Sequence, residues 1–467
     1  MNLPCRFLHL APGVAALPAV SSHSGLPSMP AKVLLKPMSE CLKHRVNLRA
    51  MVLSALMVLS QPVAAMDQLV DGVPLPPDAK AASMAESEPA VQRQWAGAWV
   101  GAWGGKLKHI LLVESVAEDG IARVVYSIGD NPFFGIRRAW SRHKATVSGR
   151  SLTIAEAGFS ATYDLTDGGI LKATYARGNS RSQTTMARVD FVALTKPGAV
   201  VDWTRGKSEL LQTDLVEGGK PIRLEVVVFK PPGEGPFPLA VINHGSTGRG
   251  NNPALFTETW FDVGLADFLN ERGWVVAFPQ PRGRGKSDGL YDEGFSPERA
   301  RGYTCDADIA LAGADRALRD IGAAIAVLRR RPDVALSRIL IGGQSRGGVL
   351  SVAYSGAHPE QIVAVINFVG GWVGDGCATA QVVNQSLFEQ GARLNRPMLW
   401  LYGRRDPFYS VPHSRENFAA FQKAGGQGSF LEFDVPSGNG HDVIGHPQLW
   451  SSPIGDYLNS LTADEQK

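Results

Sequence analysis

The sequence has little net charge, few charged residues and no long apolar run, and each shortage excludes a class of protein. Its 47 Lys and Arg against 44 Asp and Glu give a net charge of only +3, whereas a nucleic-acid-binding surface needs clustered basic residues. Its apolar runs are too short and too interrupted to cross a bilayer as a helix. Hydrophobic residues are plentiful, at 44% against 19% charged, so the chain can bury a large core and is not mainly disordered.

The N-terminal part of the chain, residues 1–65, has the pattern of an export signal. A basic stretch at 43–49 precedes an apolar segment of about eleven residues, and Val63 and Ala65 then occupy the −3 and −1 positions of a cleavage site. A translation start at Met38 would give this signal an ordinary length. We expect cleavage after Ala65 and a periplasmic or secreted protein; a buried core helix is the alternative. Removing the leader removes six basic residues and one acidic residue, so the net charge changes from +3 to −2.

Cysteine usage agrees with export. Two of the four cysteines, Cys5 and Cys41, lie in the leader, so Cys305 and Cys377 remain after cleavage. Two cysteines in an oxidising compartment predict one disulfide bond between them, and two buried free thiols are the alternative. If the bond forms, we expect it to hold the rim of a substrate pocket.

The composition of the remaining chain predicts a linker and two domains. Residues 66–94 are rich in Pro, Ala, Ser and acidic residues without an apolar period, which predicts a linker. Residues 95–200 contain short strand-like runs about ten residues apart, which predict a small all-β barrel or sandwich domain. Trp95, Trp99 and Trp103 are spaced by fours. We expect them to plug one end of a barrel, and an aromatic platform for a sugar is the alternative.

From about residue 205 to residue 467, β-branched runs alternate with helical segments. This alternation predicts an α/β domain with a mainly parallel, doubly wound sheet whose ligand sites lie at the carboxyl ends of the strands. The clearest helical segments are 307–330 and 347–357. The predicted strands are 222–229, 239–243, 274–278, 339–341, 362–368, 398–402 and 430–435.

The pattern Gly-x-Ser-x-Gly, which can present a nucleophilic serine, occurs twice. An apolar strand-like run precedes Ser345, and a segment of small residues suited to a packed helix follows it. A nucleophile elbow requires this strand–turn–helix context, because the tight turn lifts the serine oxygen above the sheet. Ser287 has no helical signal after it and is predicted to lie in a loop. We therefore predict that Ser345 is the nucleophile.

A nucleophilic serine needs a general base and an acid that orients the base. Asp406 directly follows a predicted strand and is the candidate acid, with Asp375 as the runner-up; Asp434 lies inside a predicted strand and is less suitable. His441, on a short glycine-flanked tether, is favoured over His446 as the base. No further ligand at zinc-like spacing accompanies the two histidines, so we predict no metal and no cofactor.

Acyl transfer also needs hydrogen-bond donors for the oxyanion of the tetrahedral intermediate. The backbone N–H after the nucleophile belongs to Arg346. The second donor is expected from the glycine-containing loop after the strand at 239–243, where we predict Ser246. His244 precedes the serine in the chain, so we expect it to shape this loop and not to act as the base.

Five motifs follow one another in the order of a known family. They are 243–245 (Asn-His-Gly), 282–287 (Arg-Gly-Arg-Gly-Lys-Ser), 343–348 (Gly-Gln-Ser-Arg-Gly-Gly), 403–406 (Gly-Arg-Arg-Asp) and 440–442 (Gly-His-Asp). With these motifs, the C-terminal part of the chain resembles an α/β-hydrolase of the dienelactone hydrolase and prolyl-oligopeptidase-like group. The resemblance implies a serine hydrolase that cleaves an ester, thioester or amide through an acyl-enzyme. Dienelactone hydrolases proper use a cysteine nucleophile, and because this chain has Ser345, their named activity does not carry over.

These observations favour an exported carboxylic-ester hydrolase with a small-molecule ester or amide substrate, without a nucleic-acid partner or a stable membrane span. A dipeptidyl-peptidase-like enzyme is one alternative, but its gating domain is commonly a propeller of at least four blades of about 40 residues, and residues 95–200 are too few for one. A non-catalytic envelope-binding protein on a hydrolase fold is the other alternative. The complete set of Ser, Asp and His argues against it.

Overall fold

The computed structural model describes residues 67–132, 135–178 and 180–464. The predicted leader, with its cleavage site after Ala65, lies outside these residues. None of the described helices is long and apolar enough to cross a membrane. The elements before residue 200 are β1 (Gln68–Val70), β2 (Val73–Leu75), α1 (Ala90–Trp95), β3 (Gly97–Trp103), β4 (Leu107–Val116), β5 (Ile121–Ile128), β6 (Ala139–Ser148), β7 (Ser151–Glu156), β8 (Phe159–Leu165), β9 (Leu171–Arg177), β10 (Ser180–Val189) and α2 (Phe191–Leu194).

Strands β3 to β10 form a closed antiparallel barrel, in which each strand pairs with the next along the chain and β10 pairs back with β3. The structure is therefore a barrel and not a sandwich. Trp95, Trp99 and Trp103 are buried in one apolar cluster with Leu111 and Tyr163. They belong to the core of the barrel, so the structure does not show an aromatic platform on its surface.

The prediction of a linker at 66–94 is wrong for residues 68–75, because β1 and β2 form a hairpin there that packs on the barrel. Val70 and Leu75 are buried in a second apolar cluster with Val100 and Ile110, which belong to neighbouring barrel strands. Side chains alternate between the two faces of a strand, so Val100 and Ile110 point away from the tryptophan cluster inside the barrel. The hairpin covers an apolar patch on the outside of the barrel.

A larger sheet follows the barrel. The elements that build it or pack on it are β11 (Lys207–Glu217), β12 (Lys220–Phe229), β13 (Phe237–Asn243), α3 (Val263–Asn270), β14 (Val275–Pro279), α4 (Ala307–Leu328), β15 (Val334–Gln344), α5 (Arg346–Ala357), β16 (Ile362–Phe368), α6 (Ala380–Gly391), β17 (Pro397–Gly403), α7 (Val411–Lys423), β18 (Gln427–Phe433) and α8 (Pro447–Asp464). The predicted helices at 307–330 and 347–357 correspond to α4 and α5.

The strand order in this sheet is β11-β12-β14-β13-β15-β16-β17-β18. Strand β12 runs antiparallel to β11 and β14, whereas all neighbours from β14 to β18 run parallel. The parallel strands are nearly continuous apolar runs, such as Ile339–Ile341 within β15, because helices cover both faces of such sheets. This topology confirms the predicted α/β-hydrolase fold, preceded by a β-rich domain.

Among the described residues, the barrel and the larger sheet belong to one compact unit. Helix α3 joins them: Asp267 accepts a hydrogen bond from Thr185 of β10, and Glu271 forms an ion pair with Lys172 of β9. These contacts fix the barrel against helix α3 of the larger domain.

Candidate active site

Ser345 lies in the sharp turn between strand β15 and helix α5. Its backbone has φ 59° and ψ −121°, which is a strained conformation for a residue with a side chain. Close packing at this turn requires glycine at position 347, because a Cβ there would lie only 2.2 Å from the carbonyl oxygen of Asn243 on the adjacent strand. The local geometry is that of a nucleophile elbow, as the glycine pattern predicts.

Asp406 and His441 lie in contact after two neighbouring strands, β17 and β18. The Nδ1 atom of His441 is 2.8 Å from Oδ2 of Asp406, whose side chain is completely buried. The other carboxylate oxygen, Oδ1, accepts hydrogen bonds from the backbone N–H groups of Phe408 (2.8 Å) and Tyr409 (3.1 Å). With both carboxylate oxygens engaged, Asp406 holds the imidazole by Nδ1, so Nε2 is the nitrogen that can exchange a proton with a substrate or nucleophile.

Hydrogen bonds tie the three predicted catalytic segments together. Gln344, directly before Ser345, donates from Nε2 to the carbonyl oxygen of His441 at 3.0 Å. The hydroxyl of Tyr409 donates to the carbonyl oxygen of Gly371 at 2.7 Å, and the N–H of Gly371 donates to the carbonyl oxygen of Ser345 at 3.2 Å. Burial raises the pKa of Tyr409 to about 12, so this hydroxyl stays protonated at neutral pH. Sequence reasoning missed Gln344 and Tyr409, although each lies within three residues of a predicted catalytic residue.

The other candidate acids and the other candidate base have different partners. Asp375 accepts a hydrogen bond from the backbone N–H of Ser410 at 2.9 Å, at the start of α7. Asp434 is exposed and pairs with Arg404. His446 is buried, and its Nε2 lies 3.4 Å from Oδ2 of Asp442. These contacts favour Asp406 and His441 over the three alternatives.

The loop after β13 lies directly against Ser345. A Cβ on Gly245 would be 3.2 Å from the Cβ of Ser345, so the backbone of this loop reaches the site. Ser246 follows, and its hydroxyl donates to the carbonyl oxygen of Gly248 at 3.1 Å. On the other side, Arg346 is the first residue of α5, and the first N–H groups of a helix have no partner within the helix. Both predicted oxyanion donors therefore belong to segments that border Ser345.

His244 is buried beneath this loop, and its contacts do not suit a general base. Arg284 donates hydrogen bonds to His244 Nδ1 and, at 2.7 Å, to the carbonyl oxygen of Gly245. Burial lowers the pKa of His244 well below its usual value, and the charge of Arg284 lowers it further. A neutral imidazole that accepts from arginine supports the loop and does not exchange protons at neutral pH.

Ser287, in the second Gly-x-Ser-x-Gly pattern, is part of the loop framework. Its hydroxyl donates to the carbonyl oxygen of Gln280 at 2.9 Å and accepts from the N–H of Glu225 at 2.8 Å. Both hydrogen bonds are to backbone groups of neighbouring strands or their ends. The hydroxyl thus holds the loop at 282–287, in agreement with the prediction that Ser287 lies in a loop.

Cys305 and Cys377 form a disulfide bond in the structure, with their Cα atoms 5.5 Å apart. The bond links the segment before α4 to the segment between β16 and α6. In the described part of the chain, no group of three or more His, Cys, Asp or Glu side chains is arranged to hold a metal ion.

The sheet topology is that of the α/β-hydrolase fold. Residues 260–442 match the model of the dienelactone hydrolase family, so this part of the chain is similar to the hydrolases of that family. The match confirms the resemblance seen in the motifs, and it spans Ser345, Asp406 and His441 but not Ser246.

Several solved structures are similar to this chain at low sequence identity. Est1E from Butyrivibrio proteoclasticus, solved with ferulic acid, is 17% identical over 55% of this chain and 99% of its own, with a TM-score of 0.39. The Pyrococcus furiosus esterase Pf2001 is 16% identical over 56% of this chain and 95% of its own, with a TM-score of 0.37. A prolyl endopeptidase is 15% identical over 78% of this chain and 51% of its own, also with a TM-score of 0.37. No curated protein gives a significant match.

Proposed function

We propose that this protein is an exported serine hydrolase that cleaves carboxylic esters, with Ser345 as nucleophile, His441 as general base and Asp406 as the acid that orients the base. The observation that carries this proposal is the 2.8 Å contact between His441 Nδ1 and a buried Asp406, tied by hydrogen bonds to a serine on a strained elbow. An acid, a base and a nucleophile in the chain order Ser, Asp, His are the parts that an α/β-hydrolase uses.

In the proposed reaction, the Oγ of Ser345 attacks the ester carbonyl while its proton passes to Nε2 of His441. Asp406 stabilises the imidazolium that forms, because its carboxylate already faces Nδ1. The N–H groups of Arg346 and Ser246 bind the oxyanion of the tetrahedral intermediate. The alcohol leaves with the proton from His441, and water then hydrolyses the acyl-enzyme by the same steps, releasing the acid and restoring Ser345.

The architecture of the N-terminal domain supports an esterase over a dipeptidyl-peptidase-like enzyme. In the described residues this domain is one closed eight-stranded barrel, not a ring of four-stranded blades. We therefore expect faster turnover of nitrophenyl esters than of aminoacyl nitroanilides. Faster turnover of the nitroanilides would favour the peptidase alternative.

Export is the second part of the proposal. The disulfide between Cys305 and Cys377 supports it, because structural disulfides persist mainly in oxidising compartments. Expressed from its own signal in a bacterial host, the protein is expected in the periplasm or medium as a chain that begins at Met66. Mass spectrometry of the intact purified chain checks this. A cytosolic protein that retains residues 43–65 would contradict it.

Fluorophosphonate labelling tests the nucleophile. Wild-type protein is expected to take up one label on Ser345, because the probe reacts with an activated serine, and Ser345→Ala is expected to take up none. The matched control is Ser287→Ala, which alters the serine of the other Gly-x-Ser-x-Gly copy and should label like wild type. Peptide mapping by mass spectrometry identifies the labelled residue. A wild-type protein without label would contradict the enzyme proposal and favour the non-catalytic alternative.

A further inference from the structure

The side chain of Arg346, the residue after the proposed nucleophile, is clamped between two aromatic rings. Its guanidinium lies 3.6 Å from the ring centre of Tyr303 and 4.2 Å from that of Trp372. Its Nε donates to the carbonyl oxygen of Trp372 at 3.0 Å, and Nη1 donates to the carbonyl oxygen of Glu293 at 2.7 Å. With 3% of its surface exposed, this arginine is held on two faces and along its edge.

Tyr303 also holds the loop that carries the other proposed oxyanion donor. Its hydroxyl accepts a hydrogen bond from the backbone N–H of Thr247 at 3.1 Å and lies 2.8 Å from the hydroxyl of the same residue. Thr247 directly follows Ser246, so this contact fixes the peptide group next to that donor. One tyrosine therefore contacts both segments between which an oxyanion would bind.

The hydroxyl of Tyr303 has a defined direction because it begins a chain of hydrogen bonds. It lies 2.8 Å from the hydroxyl of Tyr291, which donates to the buried carboxylate of Glu293 at 2.9 Å. Burial, followed by the charge of Glu293, raises the pKa of Tyr291 well above its usual value, so its hydroxyl keeps its proton. Since Tyr291 donates to Glu293, its oxygen accepts from Tyr303, and the oxygen of Tyr303 is left to accept from Thr247.

The disulfide anchors this clamp. Cys305 is two residues after Tyr303, and Cys377 is five residues after Trp372, so the bond joins the two segments that carry the aromatic rings. The indole N–H of Trp372 also donates to the carbonyl oxygen of Ala310 in α4 at 2.7 Å. The segments on either side of Arg346 thus cannot separate while the disulfide is intact.

We propose that Tyr303 is a positioning residue that sets the spacing of the two oxyanion donors, the N–H groups of Arg346 and Ser246, and that the Cys305–Cys377 disulfide holds it in place. This inference rests on the proposed function, which assigns those donors. Donors stabilise an oxyanion when they lie about 2.7–3.1 Å from it. A small shift of one segment therefore weakens the binding of the transition state more than the binding of the substrate.

Tyr303→Phe tests this inference because it keeps the ring on Arg346 and removes only the hydroxyl, which bonds to Thr247 and Tyr291. We expect kcat for a nitrophenyl ester to fall by about 10- to 100-fold with KM within twofold. We also expect the affinity for a trifluoromethyl ketone, which forms a tetrahedral adduct with the serine, to fall by the same factor as kcat/KM. A loss of stability alone would not produce this correspondence.

The matched control is Tyr457→Phe. The hydroxyl of Tyr457 likewise accepts from a backbone N–H, that of Val365 at 3.0 Å, and donates to the carbonyl oxygen of Pro397, but it lies in the C-terminal helix α8. This variant is expected to lose stability comparably and to keep kcat within twofold of wild type. Melting temperatures of both variants provide the comparison.

Replacement of Cys305 and Cys377 together by serine tests the anchor. We expect kcat to fall with little change in KM. Combined with Tyr303→Phe, the loss of kcat should be smaller than the product of the separate losses, because both changes disturb the same contacts around Arg346. Fluorophosphonate titration separates the outcomes. A wild-type protein that does not react refutes the proposed function, whereas a reactive wild type with an unchanged kcat in Tyr303→Phe refutes only the role of Tyr303.

Discussion

Asp406→Asn is expected to lower kcat by about 10⁴-fold without unfolding the protein. The carboxylate accepts the N–H groups of Phe408 and Tyr409 at one oxygen and the Nδ1–H of His441 at the other. An asparagine would keep its carbonyl oxygen on the two backbone N–H groups and turn its NH₂ group toward His441. That group can only donate, so Nδ1 would have to accept and the ring proton would move to Nε2. The imidazole would then present a proton to Ser345 where it must accept one.

The measurement is the steady-state rate of ester hydrolysis at pH 7 to 8, with the melting temperature recorded to show that the fold is retained. Asp434→Asn is the control, because Asp434 is an exposed carboxylate paired with Arg404 on a neighbouring segment. It should leave kcat within twofold of wild type. If Asp406→Asn keeps more than a tenth of the wild-type kcat while Asp375→Asn loses activity, the orienting acid is Asp375.

Gly347→Ala is expected to have the largest effect on stability. The added Cβ would lie 2.2 Å from the carbonyl oxygen of Asn243 and 2.6 Å from that of His244, and backbone atoms cannot rotate away as a side-chain tip can. We expect a loss of about 3 kcal/mol or more. At about 2–4 °C per kcal/mol, the melting temperature would fall by about 6–12 °C. Because Asn243 leads into the loop with Ser246, fluorophosphonate labelling should fall as well.

The matched control is Gly376→Ala, a surface glycine whose added Cβ would meet no atom within 4 Å. Its melting temperature should stay within about 2 °C of wild type. Differential scanning calorimetry of the two variants measures the difference. Equal melting temperatures would mean that helix α5 and strand β13 can move apart without a loss of stability. The close packing inferred at the elbow would then be wrong.

The elbow can be predicted from sequence because its determinants are local. The strand before Ser345, the helix after it and the glycine at 347 all lie between residues 334 and 357, so the pattern contains the whole turn. The order of the parallel strands then limits where Asp406 and His441 can lie, since the carboxyl ends of such strands meet at one edge. Three residues that are far apart in the chain can therefore be assigned to one site from their positions relative to the strands.

Other features depend on contacts that no local pattern records. Tyr303 and Thr247 are separated by 56 positions, and neither carries a signal that distinguishes it from an ordinary loop residue. Strand β11 is not among the predicted strands, because it lies at the edge of the sheet and most of its residues are exposed and polar. The hairpin at 68–75 resembles a linker in sequence because each of its strands has three residues, too few for a period to emerge.

The hairpin of β1 and β2 limits how far the chain can be shortened from its N-terminus. A chain shortened to begin at residue 95 would keep all eight barrel strands but would lose the hairpin side of the apolar cluster that contains Val100, Ile110, Leu112 and Val125. Contiguous apolar surface of this kind promotes self-association, so such a fragment would be prone to aggregate. The boundary for producing the folded protein therefore lies at or before residue 67, almost directly after the cleavage site proposed for export.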